Sequence, residues 1–338
     1  VLIVNDCRRS INRPKYMLRS NDLVKSVKNT SDWMSNLPEN LHNLPLNTLA
    51  IPVNPFSYAL DLASELGPDG NNTLQQISHN PLIGSIVKKV AFNWSVTQSL
   101  SFKEQLQAGI RYFDLRSAKR KKDNDYYFLH GLFGPKIADS MAEVNQFLAE
   151  HPKEIIILDF NHFYEMDYND HEIVLSILMS IFGEKICFRQ MGVCDISLKS
   201  LWEKHQQVII IYHQEDIVTH YHQLWPGGAI QSPWPNTMDT HKLIGFLTTG
   251  YTNVRPDEVF YVFQGVMTPD DSTVFKHLVQ GSIKKHCAEK INQTFIAWLQ
   301  DRNIGRNGIN ICMVDFFEIV DFVQAVISLN MKHKVSSN

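Results

Sequence analysis

The stretch His151-Pro152-Lys153-Glu154-Ile155-Ile156-Ile157-Leu158-Asp159-Phe160-Asn161-His162 decides the fold. His151-Pro152 ends a helical pattern, because proline lacks an N–H and pushes the residue before it out of helical geometry. Ile155 to Leu158 then leave no polar face, so the strand over Glu154–Phe160 has apolar neighbours on both sides. It ends in polar side chains, Asp159, Asn161 and His162. A strand apolar on both faces belongs to a parallel sheet whose crossovers are helices.

The same reading recurs along the chain. Val208-Ile209-Ile210-Ile211 and Val259-Phe260-Tyr261-Val262-Phe263 are further continuous apolar runs. Strands are predicted at Leu46–Pro52, Gly109–Arg116, Tyr126–His130, Glu154–Phe160, Gln207–His213, Val259–Met267 and Ile309–Phe316, with an eighth near Gly228–Ser232. Between them Ile137, Met141, Val144 and Leu148 recur at helical spacing on one face. Asp170–Phe182 and Phe317–Leu329 read as helices in the same way. No G-x-G-x-x-G follows the first strand, as a dinucleotide-binding open sheet would require. The expected fold is therefore α/β: a closed, parallel (β/α) TIM-like barrel forming a single domain over residues 31–332. Residues 1–30 read as a mobile N-terminal tail and 333–338 as a short C-terminal tail.

The chain has 338 residues, 44% hydrophobic and 20% charged, with a net charge of −3. That balance suits a globular domain and carries no global nucleic-acid footprint. Five scattered cysteines without C-x-x-C spacing argue against a disulfide framework or a zinc site, and for an intracellular protein. No apolar run reaches the roughly 18–20 residues of a membrane span. A cytoplasmic location, peripheral at membranes, is expected.

In a parallel α/β barrel, chemistry sits at the C-terminal ends of strands. Those ends carry Asp114 and Arg116, then His130, then Asp159, Asn161 and His162, then Tyr212-His213, and last Asp315. Arginine offers a fork for phosphate, and histidine can move a proton near neutral pH. Each residue also has a structural reading. Asp114 and Arg116 form a strand-end ion pair, His130 is a satisfied core histidine, and Asp315 caps the following helix.

A family resemblance bears on the choice. Asn93-Trp94-Ser95-Val96-Thr97-Gln98, Gln105 through Arg116, and Phe128-Leu129-His130-Gly131-Leu132-Phe133 closely resemble the X-domain-only phospholipase C-like proteins. So do Leu158-Asp159-Phe160-Asn161-His162-Phe163-Tyr164 and Leu224-Trp225-Pro226-Gly227, and the resemblance spans about Asp32 to Asn330. It implies the phosphatidylinositol-specific phospholipase C fold and a phosphoric diester hydrolase that releases phosphoinositide head groups from diacylglycerol. In that chemistry one histidine takes the inositol 2-hydroxyl proton, and a second protonates the leaving glycerol oxygen.

By resemblance, Arg116 matches the phosphate-clamping arginine of metal-independent members, His130 the general acid, and Asp315 the aspartate that orients the first histidine. Asp114, Asn161, Tyr212, Lys119 and Lys121 are expected on the substrate side, Tyr212 by stacking on the inositol ring. The basic turn Lys119-Arg120-Lys121-Lys122 is expected to meet an anionic membrane surface, or else to be a solvated turn closed by Asp123-Asn124-Asp125. Calcium-dependent relatives place an acid where Arg116 stands, and an arginine cannot ligate a cation. No metal and no cofactor are expected; the expected partner is a membrane phosphoinositide or related phosphodiester lipid.

The sequence departs from the family at the first histidine. The family pattern I-P-G-S-H-D-S is replaced by Ile51-Pro52-Val53-Asn54-Pro55, before Phe56-Ser57-Tyr58 resumes it. Asn54 cannot act as a base near neutral pH. His79 in Ser78-His79-Asn80 is a further histidine to weigh as a surrogate. Two readings stay open: a phosphodiesterase whose written sequence has lost a short segment, and a catalytically impaired phosphoinositide-binding protein.

Overall fold

The computed structural model describes residues 30–54, 65–69, 84–277 and 280–332. Apart from Thr30, both predicted tails lie outside these residues, as does His79. Among the described residues the strands are β1 (Ile51–Asn54), β2 (Tyr112–Arg120), β3 (Asp125–His130), β4 (Leu132–Lys136), β5 (Ile156–Tyr164), β6 (Val208–Tyr212), β7 (Leu224–Pro226), β8 (Ile230–Gln231), β9 (Phe260–Gln264) and β10 (Ile311–Met313).

Eight of them follow the order β7-β6-β5-β2-β1-β10-β9-β8, and every pairing along that path is parallel. Helices cover the outside, among them Ile137–Glu150, Tyr168–Phe182, Thr240–Thr252, Glu289–Gln300 and Phe322–Met331. This is the α/β barrel the apolar runs predict. The path begins and ends at two very short strands, β7 and β8, joined by a 3-10 turn at Gly227–Ala229, with no ladder between them among the described residues. The sheet thus curls as a barrel without a hydrogen-bonded seam at that point.

Two predicted strands differ, and one ring strand was not predicted. Leu46–Thr48 is a 3-10 turn, with the Thr48 hydroxyl donating to Pro45 O at 2.7 Å, so β1 starts only at Ile51. The predicted third barrel strand is no ring member: β3 pairs antiparallel with β2 and with β4, an excursion turned by Asn124 at φ 55°. Its place in the ring is taken by β7, three residues long and too short to show a period.

The bottom of the barrel is locked by a buried ion pair. Arg111 Nε donates to Glu154 Oε2 at 2.8 Å, and both side chains are fully buried. Arg111 also donates to the carbonyls of Leu106 and Ser31, while Glu154 accepts from the backbone N–H groups of Met34 and Ser35. These bonds satisfy both charges and fix the starts of β2 and β5, which carry much of the site.

Candidate functional site

Side chains of β2 alternate, so Tyr112, Asp114 and Arg116 share one side, while Phe113 and Leu115 pack into the layer behind. The shared side is the barrel lumen. Above it opens a cleft of about 640 Å³ whose walls include Asp114, Arg116, His130, Asp159, Asn161, His162, His213, Trp234 and Asp315. The structure therefore brings together Arg116, His130, Asp315, Asp114 and Asn161.

Strict alternation would not let Asn161 and His162 both reach this cleft. The β2–β5 register slips between Leu115 and Arg116: Leu115 faces Phe160, but Arg116 faces His162. Asn161 is the extra residue of this bulge, and bulges re-aim side chains in this way. Its amide donates to Asp114 Oδ1. Burial, reinforced by the Asp159 charge, pushes the Asp114 carboxyl up to about 6.

The ring of His130 is held through Nδ1. Its Nδ1 lies 2.5 Å from Ser95 O, at the end of the helix Gly84–Ser95. A carbonyl only accepts, so Nδ1 carries the hydrogen and Nε2 is left with its lone pair. Burial, helped by the nearby Arg116 charge, lowers its pKa to about 3, so the ring is neutral at physiological pH. Gly131, at φ +68°, makes the tight turn after it; a Cβ there would lie 2.1 Å from Ser95 Oγ. Its N–H donates to Asp69 Oδ2 at 2.8 Å, placing a buried carboxyl within the field of Arg116.

Asp315 is 3% exposed at the cleft floor. Its Oδ1 is buried without a hydrogen-bond partner among the described residues. Burial, with the Glu318 carboxyl adding to it, raises its pKa to about 8. A carboxyl in that state is a neutral acid near pH 7, unable to orient a base as a charged partner would. Phe316 follows it at φ 49°, so Asp315 does not cap a continuous helix; a 3-10 turn intervenes before Phe322–Met331.

The sequence places Asp159 and His213 at strand ends but gives them no role there, and it does not single out Trp234 at all. His213 Nε2 lies 2.8 Å from Asp159 Oδ1, and Tyr112 Oη donates to the other Asp159 oxygen at 2.6 Å. Burial pulls the His213 pKa down, but the Asp159 hydrogen bond and the charges of Asp159 and Asp114 more than offset it, and the pKa is raised. Parity gave a signal for both: Asp159 stands two before Asn161, and His213 two after Ile211. Trp234 is 53% exposed at the cleft rim, its indole N–H donating to Thr268 Oγ1 at 2.8 Å. It sits in an irregular segment, where periodicity carries no signal.

Three expected residues do not reach the cleft. The alternation that points His213 inward points Tyr212 outward, where it is fully buried and hydrogen-bonded to His171 Nδ1 at 2.7 Å. Its faces are taken by Phe160 and Phe163. Lys119 and Lys121 lie on the β2–β3 hairpin, paired at 2.8 Å with Asp170 and with Glu165. Arg120 is likewise paired, with Asp123, as the solvated-turn reading has it.

An arginine, three histidines and several carboxyls at the C-terminal rim of a parallel barrel define an α/β-barrel protein with a polar cleft. The sequence profile described as "Phosphatidylinositol-specific phospholipase C, X domain" matches residues 78–215. PI-PLC X domain-containing protein 3 of Mus musculus is 42% identical over 307 residues, covering 89% of this chain and 93% of its own. PI-PLC X domain-containing protein 2 of Homo sapiens is 45% identical over 255 residues, covering 74% and 82%. The phosphatidylinositol-specific phospholipase C of Listeria monocytogenes superposes with a TM-score of 0.58 at 17% identity, over 91% of this chain and 100% of its own, a likeness of fold. The chain belongs to the PI-PLC X domain-containing protein family. Among the described residues no helix is long and apolar enough to cross a membrane.

Proposed function

We propose that the cleft takes the phosphodiester head group of an inositol phospholipid, on a phospholipase C scaffold that lacks its general base. The observation that carries this is the convergence of Arg116, His130, Asp114 and Asp315 on one cleft. Arg116 supplies the charge for the phosphate and makes a divalent cation unnecessary there. Asp114, Asn161 and His213 supply hydrogen bonds for sugar hydroxyls, and the Trp234 face covers the ring from the rim. The protein works at the cytoplasmic surface of membranes, reached from solvent.

Hydrolysis needs a second proton carrier opposite His130. The family's position for it falls at Val53-Asn54-Pro55, and an Asp315 carboxyl held neutral, its Oδ1 without a partner among the described residues, is what an orienting carboxyl becomes without its histidine. The chain as written is therefore a head-group binder with little or no turnover. Flotation with phosphatidylcholine vesicles containing phosphatidylinositol, with a chelator present, tests the binding. Arg116→Ala should weaken it at least tenfold, since charge-assisted bonds contribute about 1.5–3 kcal/mol. Equal binding by both proteins would refute the assignment.

A further inference from the structure

The wall of the cleft changes character with the strands that supply it. On the side of β5 and β6 it carries Asp159, Asn161 and His213. On the side of β8, β9 and β10 it is mostly apolar, with Ile230, Val266, Met267 and Met313, joined by Ile283 and Trp94 from flanking helical segments. Parity explains the second set: Ile230 stands two before Ser232, Val266 two after Gln264 and Met313 two before Asp315, and all six line the same cleft. Ile230, Met267, Ile283 and Met313 belong to the buried core, while Val266 and Trp94 are partly buried against it.

The polar groups on this apolar side are engaged or uncharged. Gln264 Nε2 donates to the Ser232 carbonyl at 3.0 Å and to its hydroxyl at 2.9 Å, and Thr268 Oγ1 accepts from the Trp234 indole. Asp315, whose carboxyl burial holds protonated near pH 7, adds no charge. A sugar pressed against this wall would lose water without gaining partners. An alkyl chain has no such loss, and each methylene it buries is favourable.

Arg116 stands between the two sides. From β2, the sheet runs through β5 to β6 in one direction and through β1 to β10 and β9 in the other. An inositol phospholipid has the same order, with the sugar on one side of its phosphate and the glycerol with its chains on the other. The cleft's volume of about 640 Å³ is in the range that encloses a drug-sized ligand, more than an inositol phosphate alone fills.

We propose that the apolar side of the cleft is an acyl subsite, which takes the glycerol carbons and the first methylenes of one chain of the inositol phospholipid. The inference rests on the reading of Arg116 as the phosphate site. The chain is drawn from the bilayer into the lumen, so contact with the lipid does not stop at the head group.

The test is calorimetric titration of the full chain with inositol 1-phosphate, glycerophosphoinositol, and butanoyl and hexanoyl lysophosphatidylinositol, all below micelle-forming concentrations. Affinity should rise roughly two- to fourfold per added methylene. In Val266→Asn that rise should flatten, read as the ratio of hexanoyl ligand to glycerophosphoinositol within the variant. Arg116→Met should weaken all these ligands together and keep the ratio. If glycerophosphoinositol binds and the chains add nothing, or if the ratio is unchanged in Val266→Asn, the subsite is overturned while the head-group reading stands. If alkyl phosphates bind with the expected chain dependence and inositol 1-phosphate does not bind, the head-group reading fails and the subsite stands. Should Val266→Asn fail to fold, 13C-methyl methionine spectra of the unaltered chain decide. Met267 and Met313 are assigned there by Met267→Leu and Met313→Leu, which conserve volume. Hexanoyl lysophosphatidylinositol should move both resonances beyond the shift that glycerophosphoinositol gives; equal shifts overturn the subsite.

Discussion

Asp315→Asn should stabilise this protein near pH 7, although it alters a buried residue of the candidate site. The carboxyl is 3% exposed, without a partner for Oδ1 among the described residues, and its pKa rises from 3.8 to about 8 on folding. A folded pKa above the unfolded one means stability that is fully present below the unfolded value and lost as pH rises towards the folded value. Over that range the native chain holds a proton the unfolded chain has released. The cost is a little over 1 kcal/mol per pH unit, hence on the order of 4 kcal/mol by pH 7. Asparagine has nearly the same shape and never ionises, so the variant avoids this cost. Urea denaturation of both proteins from about pH 4 to pH 8 should give a stability gap in favour of the variant that widens with pH. A constant gap, or one that widens towards acid, would refute the reasoning. If a histidine were restored opposite Asp315, the pair would hold the carboxylate charged, and the same substitution should become destabilising.

Other outcomes follow from the same contacts. Glu154→Ala strands the fully buried Arg111 charge and should cost about 3–5 kcal/mol in chemical denaturation, a large part of a typical domain's stability. Because that pair fixes the starts of β2 and β5, head-group binding should weaken as well; a loss below about 1 kcal/mol would show that the pair locks nothing. Asp159→Asn removes the partner that raises the His213 pKa and relieves the Asp114 carboxyl. Both effects make the stability deficit of this variant greatest in acid, with the His213 part fading as pH climbs above about 6.5. A deficit independent of pH would contradict the coupling of His213 to Asp159.

How far the site could be read beforehand depended on strand parity. Ile155 to Leu158 and Val208 to Ile211 announce buried parallel strands, because continuous apolar runs have no other economical home. Placing function at the strand ends located Asp114, Arg116, His130, Asn161 and Asp315. It failed at Tyr212, where the adjacent His213 faces the lumen instead. The bulge at Asn161 was hidden because a one-residue slip is set by pairing with β2, a long-range property absent from the local pattern. The β3–β4 hairpin misled for a related reason: Tyr126–His130 has the composition of a barrel strand, and only its partners show that it is not one. Trp234 lies outside any period, and tertiary packing alone gives it its setting.

The most direct measurement is release of inositol phosphate from phosphatidylinositol in mixed micelles, with a chelator present. The chain as written would be compared with one carrying Gly-Ser-His-Asp-Ser between Pro52 and Phe56. The account predicts turnover by the restored chain alone, with both binding the lipid through Arg116. Full activity in the chain as written would contradict it, and a search for the base would then begin with His79.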